Sequence, residues 1–151
     1  MKAVGMSDIG KCRKNNEDAY YISAGEDPAE NLYLVADGMG GCNAGEIASS
    51  CANRTVYEKS NADREFAEMG TTIVAAAVRE EKLYVAYVGD SRAYLFRKKE
   101  MQPLTTDHSY VMELVKMGSI TKEEAAMHPK RNVITRAIGI RDTVETDTVI
   151  H

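Results

Sequence analysis

Three short stretches carry residues whose type and spacing suit chemistry on a phosphate or a hard cation. In "LVADGMGGCNAGE", Leu34 to Glu46, an apolar run ends on Asp37, and four glycines follow within eight residues. A carboxylate at a strand's end is held at the rim of a sheet, and glycines beyond it leave backbone carbonyls open to a ligand. Mg²⁺ and Mn²⁺ take oxygen ligands, and one or two carboxylates with a backbone carbonyl suit them. Asp37 and the Gly38 carbonyl therefore form a candidate metal corner. A glycine-rich turn merely capped by Asp37 competes evenly with that reading on spacing alone. "RKNNEDA" sets Arg13 five residues before Asp18, with Glu17 beside it. Arginine recognises phosphate through two parallel N–H donors, and neighbouring acids can anchor waters around a cation. "YVGDSRAY" places Asp90 at another strand end, in a tight Gly-Asp-Ser turn. Taken singly, these last two stretches read more readily as a solvated charge run and a hairpin turn than as functional sites.

The elements that must position these residues follow from residue pattern. "KAVGMSD", "AYYIS" and "NLYLVA" read as short strands, the last entered through the turn-like "GEDPAE". Asn43 with Glu46 has capping-box spacing, and Ala44, Ile47, Ala48, Cys51, Ala52 and Val56 recur at helical intervals, predicting a helix over 44–59. "TTIVAAAV", "KLYVAYVG", "RAYLFRK" and "EMQPLT" are closely spaced and rich in β-branched and aromatic residues, which predicts an antiparallel meander. "SYVMELVKMG" and "TKEEAAMH" read as two short helices, and "TVETDTVI" as a last strand. The class is α+β: antiparallel sheet with helices packed on it.

Composition narrows the function classes. A chain of 151 residues suits one domain with a real core. Its 44% hydrophobic and 28% charged content is that of a soluble globular protein. The net charge of −4 argues against a general nucleic-acid binder. No apolar run approaches a membrane span, and Met1 to Gly10 lacks the build of a signal peptide, so no membrane association and a cytoplasmic location are expected. Cys12, Cys42 and Cys51 are odd in number and without CxxC spacing, which predicts reduced thiols.

Six segments in order, "SDIGKCRKNNEDA", "LVADGMGGCNAGEIAS", "MGTTIVAA", "YVAYVGDSRAYL", "LTTDHSYVMELVKMG" and "HPKRNVITRAIG", resemble the bacterial branch of the metal-dependent PP2C-type (PPM) protein serine/threonine phosphatases. The resemblance touches nearly the whole chain. It implies an antiparallel β-sandwich flanked by helices, with two Mn²⁺ or Mg²⁺ ions and, in bacterial members, a third. Arg13 resembles the substrate-phosphate arginine. Asp37 resembles the carboxylate that bridges both metals, Gly38 the residue whose carbonyl completes a metal's shell, and Asp90 the aspartate of the third metal. Glu17 and Asp18 match the acidic pair that steadies the metals through water. The segment 106–129 resembles a flap beside the active site, within one phosphatase domain over 1–151. The implied activity is hydrolysis of phosphoserine and phosphothreonine in a protein substrate by a metal-activated water, with a cognate Ser/Thr kinase as a further partner. Where some relatives carry a histidine after the Asp-Gly, this chain has Met39, which turns attention to His128 as a proton donor.

Two departures from the pattern shape the expectation. "SSCANRTVYEKSNADREFAEMG" spans an interval that is longer in the family, so one helix is expected where relatives have two, with apolar strand surface left for self-association. Family members also continue with an Asp-Gly and an Asp-Asn motif, and nothing after Asp90 matches either. Asp142, Glu145 and Asp147 are not assigned as ligands. The sandwich is therefore expected to be incomplete, and the alternative function is a catalytically impaired scaffold that binds phosphoproteins or a kinase.

Overall fold

The computed structural model describes residues 4–8, 19–22, 32–36, 45–79 and 81–151. In chain order the elements are β1 (Ala19–Ile22), β2 (Leu32–Ala36), α1 (Gly45–Ala62), a 3₁₀ turn (Arg64–Phe66), β3 (Ile73–Arg79), β4 (Lys82–Val88), β5 (Tyr94–Arg97), β6 (Glu100–Pro103), α2 (Tyr110–Lys116), α3 (Lys122–Met127) and β7 (Asp147–Ile150). Strands β1 to β4 run antiparallel in chain order and β7 pairs antiparallel with β4, giving the order β1-β2-β3-β4-β7. The meander expected over β3 to β6 is corrected, because β7 and not β5 takes the place beside β4. β5 and β6 make a separate hairpin.

The period of two along β3 and β4 sorts their side chains onto two faces. Ile73, Ala75 and Val88 face α1 and pack with its Ala52 and Val56, joined by Met69 and Ile138. Val74, Val85 and Tyr87 face the other way, against Leu104 and the partly buried Ala93 and Leu95 of the hairpin region. The sheet is thus sandwiched between one helix and one hairpin. A single helix follows β2, as the shortened interval predicts, and it runs three residues past the expected Lys59.

Asn53, 1% exposed, ties α1 to the chain before β7. Its Nδ2 donates to the carbonyls of Arg141 and Asp142, both at 3.0 Å, and its Oδ1 accepts the Gly139 N–H at 2.8 Å. Three bonds satisfy most of what one buried amide can make. The Thr121–Glu124 capping box is formed in both directions. Asn43 and Ala44, the predicted start of α1, lie outside the described residues. One expected strand is corrected: within "KAVGMSD", Val4–Asp8 belongs to no strand. It instead lines a groove of about 600 Å³ with Tyr20, Tyr33, Val35 and Tyr94. The "NVITRAIG" stretch forms only two isolated bridges, Ser109 to Ile134 and Thr71 to Ile138.

Candidate active site

Register places the candidate site at one end of the sheet. Ala19 pairs with Ala36, Val35 with Val74, Ile73 with Val88, and Tyr87 with Asp147. The start of β1, the end of β2, the start of β3, the end of β4 and the start of β7 therefore share that end. Arg13, Glu17, Asp18, Asp37 and Gly38 lie outside the described residues, as do Cys12 and Cys42. Asp18 adjoins Ala19 in sequence and Asp37 adjoins Ala36, so the strands that flank them reach the sheet end from which Gly89 and Asp90 leave β4.

The turn after β4 is held at nearly every residue. Gly89 adopts φ +104, which favours glycine, and a Cβ there would collide with the Thr72 side chain. Its N–H donates to His108 Nδ1 at 3.1 Å, and its carbonyl accepts the His108 N–H at 2.9 Å. Ser91 Oγ shares a hydrogen bond with Thr72 Oγ1 at 2.6 Å. Arg92 grips Asp107 with two parallel bonds, Nε to Oδ1 at 2.8 Å and Nη2 to Oδ2 at 2.5 Å. This pairing with Asp107 raises the Arg92 pKa further above its ordinary value, against a smaller opposing effect of burial. Ala93 donates to Thr105 Oγ1 and accepts from Leu104 N–H. Asp90 is the exception: its carboxylate has no hydrogen-bond or ion-pair partner among the described residues. A fixed backbone thus presents one uncommitted carboxylate, the donor type a hard divalent cation takes. No cluster of three or more His, Cys, Asp or Glu side chains forms a metal site among the described residues.

A second layer lies behind the turn. His108 is 3% exposed and stacks on Tyr87, with ring centroids 5.2 Å apart and planes 15° from parallel. Its Nε2 lies 3.3 Å from Asp147 Oδ2, and Asp147 Oδ1 accepts from Arg136 Nη1 at 2.7 Å. Arg136 Nη2 also reaches Glu145 at 3.2 Å. The Asp147 carboxyl is held below its ordinary range: partial burial pushes it up, but hydrogen bonds from Arg136 and His108 outweigh that. Asp142, Glu145 and Asp147 stay unassigned as ligands, and Asp147 and Glu145 are occupied by Arg136. His128, considered as a proton donor, ends α3, where its Nδ1 accepts the Lys130 N–H at 3.0 Å. The His108–Asp147–Arg136 network was missed in the sequence because its members are far apart in the chain. The only local trace is a histidine inside "LTTDHS", between a strand and a helix.

Comparison with known proteins gives a consistent neighbourhood. The family model Protein phosphatase 2C matches residues 50–113. A serine/threonine phosphatase stp of Listeria innocua is 34% identical over 181 aligned positions, covering 99% of this chain and 71% of that protein. Since 181 positions are spanned by a chain of 151 residues, at least 30 positions of that relative have no counterpart here. The crystal structure of serine/threonine phosphatase Stp1 from Staphylococcus aureus superposes with a TM-score of 0.84 at 34% identity, covering 96% of this chain and 68% of that one. The catalytic domain of the serine threonine protein phosphatase PstP, in complex with 2 manganese ions, superposes with a TM-score of 0.77 at 29% identity, covering 97% of this chain and 70% of that one.

Proposed function

Because this chain belongs to the protein phosphatase 2C family and is a protein serine/threonine phosphatase, we propose that its reaction takes place at the sheet end toward which the end of β2, the start of β1 and the end of β4 all point. The single observation that carries this placement is the pinned turn whose Asp90 carboxylate has no partner among the described residues, on the same sheet end as Ala19 and Ala36. The family depends on metal, and in this reading Asp37, the Gly38 carbonyl and Asp90 hold Mn²⁺ or Mg²⁺. Bound divalent cations supply Lewis acidity, which makes a water available as a nucleophile near neutral pH. Arg13 binds two oxygens of the substrate phosphate and orients phosphorus toward the metal corner. Glu17 and Asp18 accept hydrogen bonds from waters around the cations and so fix their positions. Asp90, held on a turn that spends no further entropy on ordering, adds negative charge where a cation has to sit.

The reading extends over 1–151 as one phosphatase domain, with 106–129, which carries α2 and α3, as the flap that phosphoproteins meet. Phosphoserine and phosphothreonine proteins are the substrates, and a cognate Ser/Thr kinase supplies them. Self-association is proposed through apolar strand surface, where Tyr20, Tyr21 and Val35 are each nearly half exposed; sedimentation showing a monomer at high concentration would remove it. A cytoplasmic location is likewise part of the proposal, tested by fractionation. Among the described residues no helix is long and apolar enough to cross a membrane.

The decisive experiment measures hydrolysis of p-nitrophenyl phosphate and of a phosphothreonine peptide with Mn²⁺, with EDTA, and in Asp37→Asn. Turnover with Mn²⁺ alone, abolished in the other two conditions, is expected. One observation favours the competing reading of an impaired phosphoprotein- or kinase-binding scaffold: at least 30 positions of the Listeria innocua relative have no counterpart in this chain. Folded protein that retains phosphopeptide binding but turns nothing over would establish that reading instead.

A further inference from the structure

His108 does more than fill the core. Both polar groups of Gly89 are engaged by it: the N–H by Nδ1 and the carbonyl by the His108 N–H. A backbone N–H can only donate, so Nδ1 carries no proton and the ring's proton sits on Nε2. That nitrogen faces Asp147 Oδ2 at 3.3 Å. Arg136 Nη1 lies 3.4 Å from Nε2 but cannot donate to it in this tautomer, and serves Asp147 Oδ1 instead. The carboxylate therefore fixes which nitrogen is protonated, and Arg136 fixes the carboxylate. Tyr87 restrains the ring plane by stacking, and its hydroxyl accepts the Thr106 N–H at 3.3 Å. The chain Arg136–Asp147–His108–Gly89 ends one residue short of Asp90.

We propose that His108 is a positioning residue for metal binding: in its Asp147-fixed tautomer it clamps the Gly89 peptide, so that Asp90 is presented in one orientation to a divalent cation. The proposal rests on the reading of Asp90 as a metal donor. The arrangement has the logic of groups behind metal ligands, whose loss commonly weakens binding about 10- to 100-fold. It also makes the last strand, through Asp147, a determinant of a turn that touches β7 nowhere in sequence.

The test compares Mn²⁺ binding, followed by the EPR signal of free Mn²⁺, in the full chain and in His108→Ala, His108→Asn, Asp147→Asn and Asp90→Asn. Asparagine can offer Oδ1 in place of Nδ1, so His108→Asn retains the acceptor for Gly89. The expected result is a half-saturation concentration raised about tenfold or more in His108→Ala and in Asp90→Asn, and restored to within about threefold in His108→Asn. Amide hydrogen exchange at Gly89 follows the same order: slow in wild type and His108→Asn, fast in His108→Ala. Equal Mn²⁺ binding in wild type and His108→Ala overturns the proposal. So does equal damage in His108→Ala and His108→Asn, which marks a packing role, and so does a wild-type chain that binds no Mn²⁺. Turnover measured on the same samples tests the phosphatase reading separately, because the binding comparison does not depend on it.

Discussion

Arg136 Nη1 and Asp147 Oδ1 lie 2.7 Å apart, and this ion pair joins the stretch before β7 to the first residue of that strand. Its pH dependence has a definite sign. The Asp147 pKa is lowered in the folded chain, so its contribution to stability is present above the unfolded carboxylate value and is lost as pH falls through the folded one. Asp147→Asn should therefore lower thermal stability at pH 7, and the gap to wild type should close as the pH drops below the ordinary aspartate range. With the Asp147 side chain 36% exposed, solvent screening limits the effect to about 1 kcal/mol. Thermal melts of both proteins across that range check it; a gap that widens in acid contradicts the assignment.

Asn53 predicts a larger loss. Truncation to alanine strips a partner from the Gly139 N–H and from two carbonyls at once. A buried group left unsatisfied costs about 1–3 kcal/mol, so Asn53→Ala should destabilise by about 3 kcal/mol in urea unfolding. A loss below about 1 kcal/mol would mean that water replaces the amide there.

At Gly89 the backbone itself is the test. Gly89→Ala combines a positive φ with a Cβ that meets Thr72, and strain of this kind costs about 1–3 kcal/mol. The expected outcome is a lowered melting temperature together with weaker Mn²⁺ binding, since the turn carries Asp90. A variant with wild-type melting and binding would show that the turn relaxes freely.

The β5–β6 hairpin offers a gain. Arg97 pairs with Glu100, leaving Lys98 and Lys99 as a two-residue turn with φ of 53° and 67°. Positive φ at both positions is what Asn-Gly supplies most readily. The double change Lys98→Asn, Lys99→Gly should stabilise by about 1 kcal/mol, read from urea midpoints, with turnover unchanged.

How far the sequence was legible depended on the range of each interaction. Strands β3 to β6, the two short helices and the Thr121–Glu124 cap rest on local pattern and were read nearly to their ends, but the grouping of the strands was not, since β5 and β6 leave the main sheet as a separate hairpin. The "KAVGMSD" stretch has the composition of a strand, yet Val4–Asp8 lies along the groove beside Tyr20 and belongs to no strand, because pairing is decided by neighbours and not by composition. In the candidate site, the Gly-Asp-Ser turn at Asp90 was visible from its own residues. His108, Asp147 and Arg136 were not, since stacking and ion pairs between segments leave no spacing to read.

Pairing β7 with β4 has a consequence for synthesis. A ribosome adding about 5–20 residues per second exposes Gly89 several seconds before Asp147. During that interval the Gly89 loop has its histidine but not the carboxylate that sets the histidine's proton. The nascent chain can pair β1 to β4 as it emerges, while the loop bearing Asp90 gains its full support only when β7 zips onto the edge of β4.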